Sequence, residues 1–214
     1  MFPTLYAILD DSLIASDEPA RWVALAASLA ESGCQLMQVR AKHADSRTQL
    51  EIAIQLARSL DSARVRLIVN DRADIALLAG AGGVHVGQHD LEVAQARAIC
   101  GAPLWVGVST HTLDQVRAAD QTSADYIAFG PIFSTTTKLK PDALVGIKGL
   151  RAARAATRKP LVAIGGITLE RARDVYRAGA NSLAVVSDLL RATNPGARAE
   201  EYFAIAADAI GAPR

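Results

Sequence analysis

The sequence predicts one α/β domain over residues 1–214, folded as a (β/α)8 barrel. Short apolar runs recur along the chain, each ending in a polar, charged or glycine cluster. Alanine-rich segments with helical spacing lie between them, and regular β–α alternation implies a parallel sheet with crossover helices. Counting Leu5-Tyr6-Ala7-Ile8-Leu9 as the first strand gives eight strands and eight helices in 214 residues. A doubly wound open sheet is the main alternative, and the count favours the closed barrel.

The second and third strands end in Gln38-Val39-Arg40-Ala41-Lys42 and Val69-Asn70-Asp71. The fourth runs into Gly87-Gln88-His89-Asp90 and the fifth into Ser109-Thr110-His111. Tyr126 to Gly130, Leu161 to Gly166 and Leu183 to Ser187 complete the set. Trp22, Leu25, Ala26 and Leu29 mark the first helix, and Leu50, Ala53, Ile54 and Ala57 the second. Further helices are expected near 73–80, 91–100, 113–120, 147–157, 169–178 and 197–210. In such a barrel all strand carboxyl ends open on one face, so these scattered clusters converge there.

Composition narrows the function. A net charge of +1 and 5% aromatic residues argue against a nucleic-acid partner. No stretch approaches the ~20 apolar residues of a membrane span. Acidic residues follow Met1 too early for a signal peptide, so a cytoplasmic protein is expected. Cys34 and Cys100 form no CxxC or zinc pattern and read as reduced, buried thiols.

Gln38, Arg40 and Lys42 alternate at period two and leave the strand on one side, with Met37, Val39 and Ala41 turned to the helices. Two cations and an amide together suit a polyanion. Asp71 and Asp90 end successive strands. Either could cap the helix that follows; together, opposite Arg40 and Lys42, they suit a magnesium–diphosphate site. Ser109 offers a hydroxyl to a phosphate, whereas Thr112 and Gln115 fit a capping box. His85, His89 and His111 share no helical face and no HExxH, which disfavours zinc, and no GxSxG elbow precedes Ser109.

Residues 131–146 form an unusually long βα connection, as expected of a lid or ligand loop. Its Thr135, Thr136, Thr137 and Lys138 offer hydroxyls, backbone N–H groups and a cation. Gly165-Gly166 and Val186-Ser187 follow the seventh and eighth strands, the usual barrel phosphate site. The alternative for the glycine pair is a tight turn into Thr168. Two anion sites are thus expected at one mouth, one metal-assisted and one largely backbone.

These pieces, in this order over nearly the whole chain, resemble the thiamine phosphate synthase family. The matching stretches are Gln38–Lys42, Val69–Asp71, Gly83–Asp90, Gly107–Thr112, Gly130–Lys138, Ala163–Ile167 and Ala184–Ser187. The resemblance implies a TIM barrel that joins a pyrimidine-methyl diphosphate to a thiazole phosphate, or its carboxylated form, with Mg2+ as cofactor. It assigns Gln38, Val39, Arg40, Ala41, Lys42, Asn70, Ser109 and Lys138 to the pyrimidine diphosphate. Arg40, Lys42 and Lys138 would be catalytic, and Asp71 and Asp90 would hold the metal. Thr135, Thr136, Thr137, Gly166, Val186 and Ser187 would hold the thiazole phosphate. Ala41 departs from the acidic residue frequent there in the family, and Leu139 to Leu144 follow no family pattern. A thiazole tautomerase-like isomerase and a non-catalytic phosphate-binding barrel are the competing readings. Small molecules are the expected partners, and a homo-oligomer is left open.

Overall fold

A computed structural model describes residues 1–61, 64–134 and 143–211. Eight parallel strands close into a barrel in sequence order: β1 (Leu5–Asp10), β2 (Leu36–Arg40), β3 (Arg66–Asn70), β4 (Gly83–Val86), β5 (Trp105–Thr110), β6 (Tyr126–Phe129), β7 (Leu161–Ile164) and β8 (Ser182–Val185). β1 pairs with both β2 and β8, so among the described residues the sheet has no free edge. The open-sheet alternative is thereby excluded.

Helices α1 (Pro19–Glu31), α2 (Ser46–Leu60), α3 (Ala73–Leu78), α4 (Val93–Cys100), α5 (Leu113–Asp120), α6 (Gly146–Ala156) and α7 (Leu169–Arg177) follow the first seven strands. After β8 comes a short α8 (Ser187–Leu190) that the apolar periodicity did not announce, then α9 (Pro195–Gly211). One turn is too short to show a helical repeat.

Strand alternation separates two cores. Leu5, Ala7, Leu9, Met37, Val39, Ala41 and Val69 pack outward with Trp22, Ala26 and Leu56 of the helix layer. Inside the barrel Tyr6, Ile8, Leu36, Ile68, Tyr126, Ala128, Val162 and Ala184 form a second, smaller cluster. Trp22 is fully buried and its Nε1 donates to the Ala15 carbonyl at 3.0 Å, anchoring the chain that returns from β1 to α1. Cys34 and Cys100 are buried free thiols, and burial pushes Cys34 up to about 11. Among the described residues no helix is long and apolar enough to cross a membrane.

Candidate active site

At the carboxyl ends of the strands lies a cavity of about 740 Å3. Arg40, Lys42, Asp71, Asp90, Ser109, Gly166, Val186 and Ser187 all line it. Residues from six strand ends therefore meet at one mouth. A second cavity, about 570 Å3, opens at the other end beside Phe2, Tyr176 and Asn181 and holds none of them.

On one side charge is arranged in linked pairs. Arg40 Nη1 lies 2.5 Å from Asp10 Oδ2, and Ser12 gives its backbone N–H and its hydroxyl to Asp10 Oδ1 at 2.9 and 2.5 Å. Asp10 is fully buried. Lys42 Nζ lies 2.8 Å from Asp71 Oδ2. Asp71 sits in the left-handed region at φ 61°, which aspartate adopts more readily than most residues, and its N–H is held by the His85 carbonyl at 2.8 Å.

Asp90 accepts the Gly87 N–H at 2.8 Å. Partial burial, with the adjacent Asp71 carboxylate adding to it, raises Asp90 above the ordinary carboxylate range, while the Gly87 bond and Lys42 oppose the rise. A Cβ on Gly87 would come within 2.9 Å of Asp90 Oδ2 and push the carboxylate aside. Neither aspartate caps a helix: the residues at those positions are Arg72 for α3 and Glu92 for α4. Two neighbouring carboxylates on an open cavity fit a hard cation that completes its shell with water and phosphate oxygens. Among the described residues no three His, Cys, Asp or Glu gather as a closed metal cage.

The opposite wall is backbone. Gly165 and Gly166 have φ of 102° and 59°. A Cβ on Gly166 would stand 2.2 Å from the Ser134 carbonyl, so neither the conformation nor the space admits a side chain. Thr168 then starts α7, so the pair serves the turn as well as the cavity wall. Val186 and Ser187 open α8, the extra helix that barrels of this kind place beside the loop after β7. Thr112 and Gln115 form the expected capping box.

Four expected residues stand off the cavity wall. Val39 and Ala41 turn their side chains into the outer core, because period two alternates them with Gln38, Arg40 and Lys42; their side chains do not line the mouth. Gln38 lies one strand step deeper than Arg40, nearly buried, with its Nε2 donating to Tyr6. Asn70 ends β3 half-buried opposite His85 and is not part of the cavity wall. Thr135, Thr136, Thr137, Lys138 and residues 139–142 lie outside the described residues.

Sequence reasoning passed over Asp10, which the Leu9-Asp10-Asp11 strand end signals only through its period-two relation to Tyr6 and Ile8. It also passed over Arg171, whose Nη1 donates to the Gly166 carbonyl at 2.6 Å while its guanidinium stacks 4.6 Å from the Phe133 ring centre. His85 drew notice only as a zinc candidate. Its ring nitrogens instead meet Tyr126 and Ser109, and burial pushes it down to about 4.

Residues 5–189 match the family model described as thiamine monophosphate synthase. The chain is 46% identical over 204 residues to the thiamine-phosphate synthase of Koribacter versatilis (strain Ellin345), covering 95% of each chain. It is 47% identical over 173 residues to that of Chloroflexus aurantiacus (strain ATCC 29366 / DSM 635 / J-10-fl), covering 81% of this chain and 80% of the relative. The solved structure of thiamine phosphate pyrophosphorylase from Pyrococcus furiosus superposes with a TM-score of 0.86 at 30% identity, covering 97% of both chains.

Proposed function

Since the chain belongs to the thiamine monophosphate synthase family, we propose that its mouth joins an aminopyrimidine-methyl diphosphate to a thiazole phosphate and releases diphosphate. The single observation that carries this reading is the convergence of Arg40, Lys42, Asp71 and Asp90 on one cavity shared with Gly166 and Ser187. Cations and carboxylates on one wall and a glycine turn on the other give two anion sites within one space.

Asp71 and Asp90 would hold Mg2+. When bound, the metal supplies positive charge to the diphosphate oxygens. Arg40 and Lys42 would flank the same oxygens, and the family resemblance assigns Lys138 to the same group. No covalent nucleophile is needed. The bond from the pyrimidine methylene to the diphosphate oxygen breaks with its electron pair leaving on the diphosphate. The ring amino group donates into the methylene cation, and the thiazole nitrogen supplies the pair for the new carbon–nitrogen bond. The protein's contribution is charge already in place where the leaving group gains it, and two rings held in attacking geometry. Gly166, Val186 and Ser187 would hold the thiazole phosphate, a role the family resemblance extends to Thr135 to Thr137. The resemblance assigns Gln38, Asn70 and Ser109 to the pyrimidine half, and of these Ser109 lines the cavity. Val39 and Ala41 can contribute only backbone. A cytoplasmic location fits a biosynthetic enzyme of this kind.

The test is a coupled assay with purified protein, both substrates and Mg2+. Thiamine phosphate and diphosphate are expected in equal amounts, abolished by chelator and restored by excess Mg2+. Isomerised thiazole without diphosphate release, or ligand binding without turnover, would replace this reading.

A further inference from the structure

Beneath the mouth, five side chains from five strands form an unbroken hydrogen-bonded line across the barrel interior. Gln38 Nε2 donates to Tyr6 Oη at 2.7 Å, and Tyr6 Oη lies 2.9 Å from Tyr126 Oη. Tyr126 Oη is 3.0 Å from His85 Nδ1, and His85 Nε2 is 2.8 Å from Ser109 Oγ. Tyr6 and Tyr126 are 1% and 0% exposed, so their hydroxyls have these partners in place of water. Space for the line is built in: Gly107 lies opposite Tyr126 in register, and a Cβ there would stand 2.0 Å from Tyr126 Cζ.

Counting protons gives the line a direction. An amide nitrogen can only donate, so Tyr6 Oη accepts from Gln38 and passes its single proton to Tyr126. Tyr126 in turn donates to His85 Nδ1. A neutral imidazole accepting at Nδ1 carries its proton on Nε2, which donates to Ser109 Oγ. The Ser109 proton is then left for a ligand, and Ser109 lines the cavity. At the far end the Gln38 carbonyl oxygen is left as an acceptor.

We propose that Tyr6, Tyr126 and His85 are positioning residues whose one-way relay fixes Gln38 as hydrogen-bond acceptor and Ser109 as donor toward the pyrimidine diphosphate. This rests on the assignment above of Gln38 and Ser109 to that substrate. The chemistry so recognised is a ligand with an N–H group for the Gln38 oxygen and a lone pair, on ring nitrogen or phosphate, for the Ser109 hydroxyl. Reversing the line would swap both preferences at once. Tyr6 and Tyr126 act only through Gln38 and Ser109.

The test has two arms. Nitrogen-15 spectra of the free protein, with His85 assigned by His85→Gln, should show Nε2 protonated and Nδ1 bare. In Tyr126→Phe, which keeps the ring, that preference should be lost. In steady-state kinetics Tyr6→Phe and Tyr126→Phe should each lower kcat/KM for the pyrimidine diphosphate about tenfold, the scale of one lost buried hydrogen bond. KM for the thiazole phosphate should stay within about twofold. The double variant should lose no more than the worse single one, since either break interrupts the same line. An Nδ1-protonated His85 in the wild type, additive losses, or equal losses toward both substrates would overturn the proposal. Wild-type protein that makes no thiamine phosphate yet carries the Nε2–H tautomer would overturn the function and the positioning role together, and would show the relay itself intact.

Discussion

Asp10 Oδ2 stands 2.5 Å from Arg40 Nη1, with the Asp10 side chain 0% exposed and the Arg40 side chain 20% exposed. The two end adjacent paired strands, β1 and β2, directly opposite each other in register. Two hydrogen bonds from Ser12 fix the other carboxylate oxygen, so Arg40 is held before any ligand arrives. Such preorganisation avoids the reorganisation a free side chain would need.

Arg40→Met should therefore act on stability as well as rate. It strands a buried carboxylate, and breaking a buried pair from one side costs about 3 kcal/mol, here moderated by Ser12. Asp10→Asn added to Arg40→Met should recover part of that loss in denaturant unfolding while turnover stays low. Equal stability of the single and double variants would contradict the pairing argument.

Replacing either carboxylate proposed to hold the metal should change the ion requirement more than the fold. Asp71→Asn and Asp90→Asn are expected to lower kcat on the order of 10²-fold and to raise the Mg2+ concentration needed for half-maximal rate. Magnesium titrations of initial rate measure both. Unchanged metal dependence in the two variants would remove them from the metal site.

His85 predicts an acid limb in stability. Its pKa falls from 6.5 to about 4 on folding because burial disfavours the charged ring. Between these values the unfolded chain binds the proton and the folded chain does not, so stability is full above pH 6.5 and declines as pH falls toward 4. The span corresponds to on the order of 3 kcal/mol. Urea unfolding at pH 7 and pH 4.5 should show His85→Gln losing less stability than wild type over that interval.

Gly107→Ala should collide with the Tyr126 ring, since the new Cβ would lie 2.0 Å from Cζ. Overpacking of this kind costs about 1–3 kcal/mol. Thermal unfolding should record the loss, and it should shrink when Tyr126→Ala is added. A loss unchanged in the double variant would locate the strain elsewhere.

Lys138→Ala tests the assignment made from sequence for the 131–146 connection. A fall in kcat on the order of 10²-fold is expected, and wild-type turnover would contradict a role on the leaving group.

What could be read from sequence followed what local periodicity encodes. Period two already turned Arg40 and Lys42 to one side and Val39 and Ala41 to the other, and eight repeats implied closure. Closure alone then brought Asp71, Asp90 and Ser187 to one mouth. The Tyr6–Tyr126 contact was not legible, because it joins residues 120 positions apart across the barrel interior and depends on the gap at Gly107. Asp10 was missed for a related reason. A lone aspartate at a strand end looks solvated until its neighbour in register is known to be Arg40. Gln38 carries a mixed lesson: its face was right, but its depth follows from the hydrogen bond to Tyr6.

Calorimetric titration of inorganic diphosphate into the protein, with and without Mg2+, probes most directly whether the leaving group is gripped as described. Binding should need the metal, weaken sharply in Arg40→Met, and vanish when Asp71→Asn and Asp90→Asn are combined. Equally tight binding in chelator, or in the doubly substituted protein, would mean that this wall of the cavity does not hold a metal–diphosphate at all.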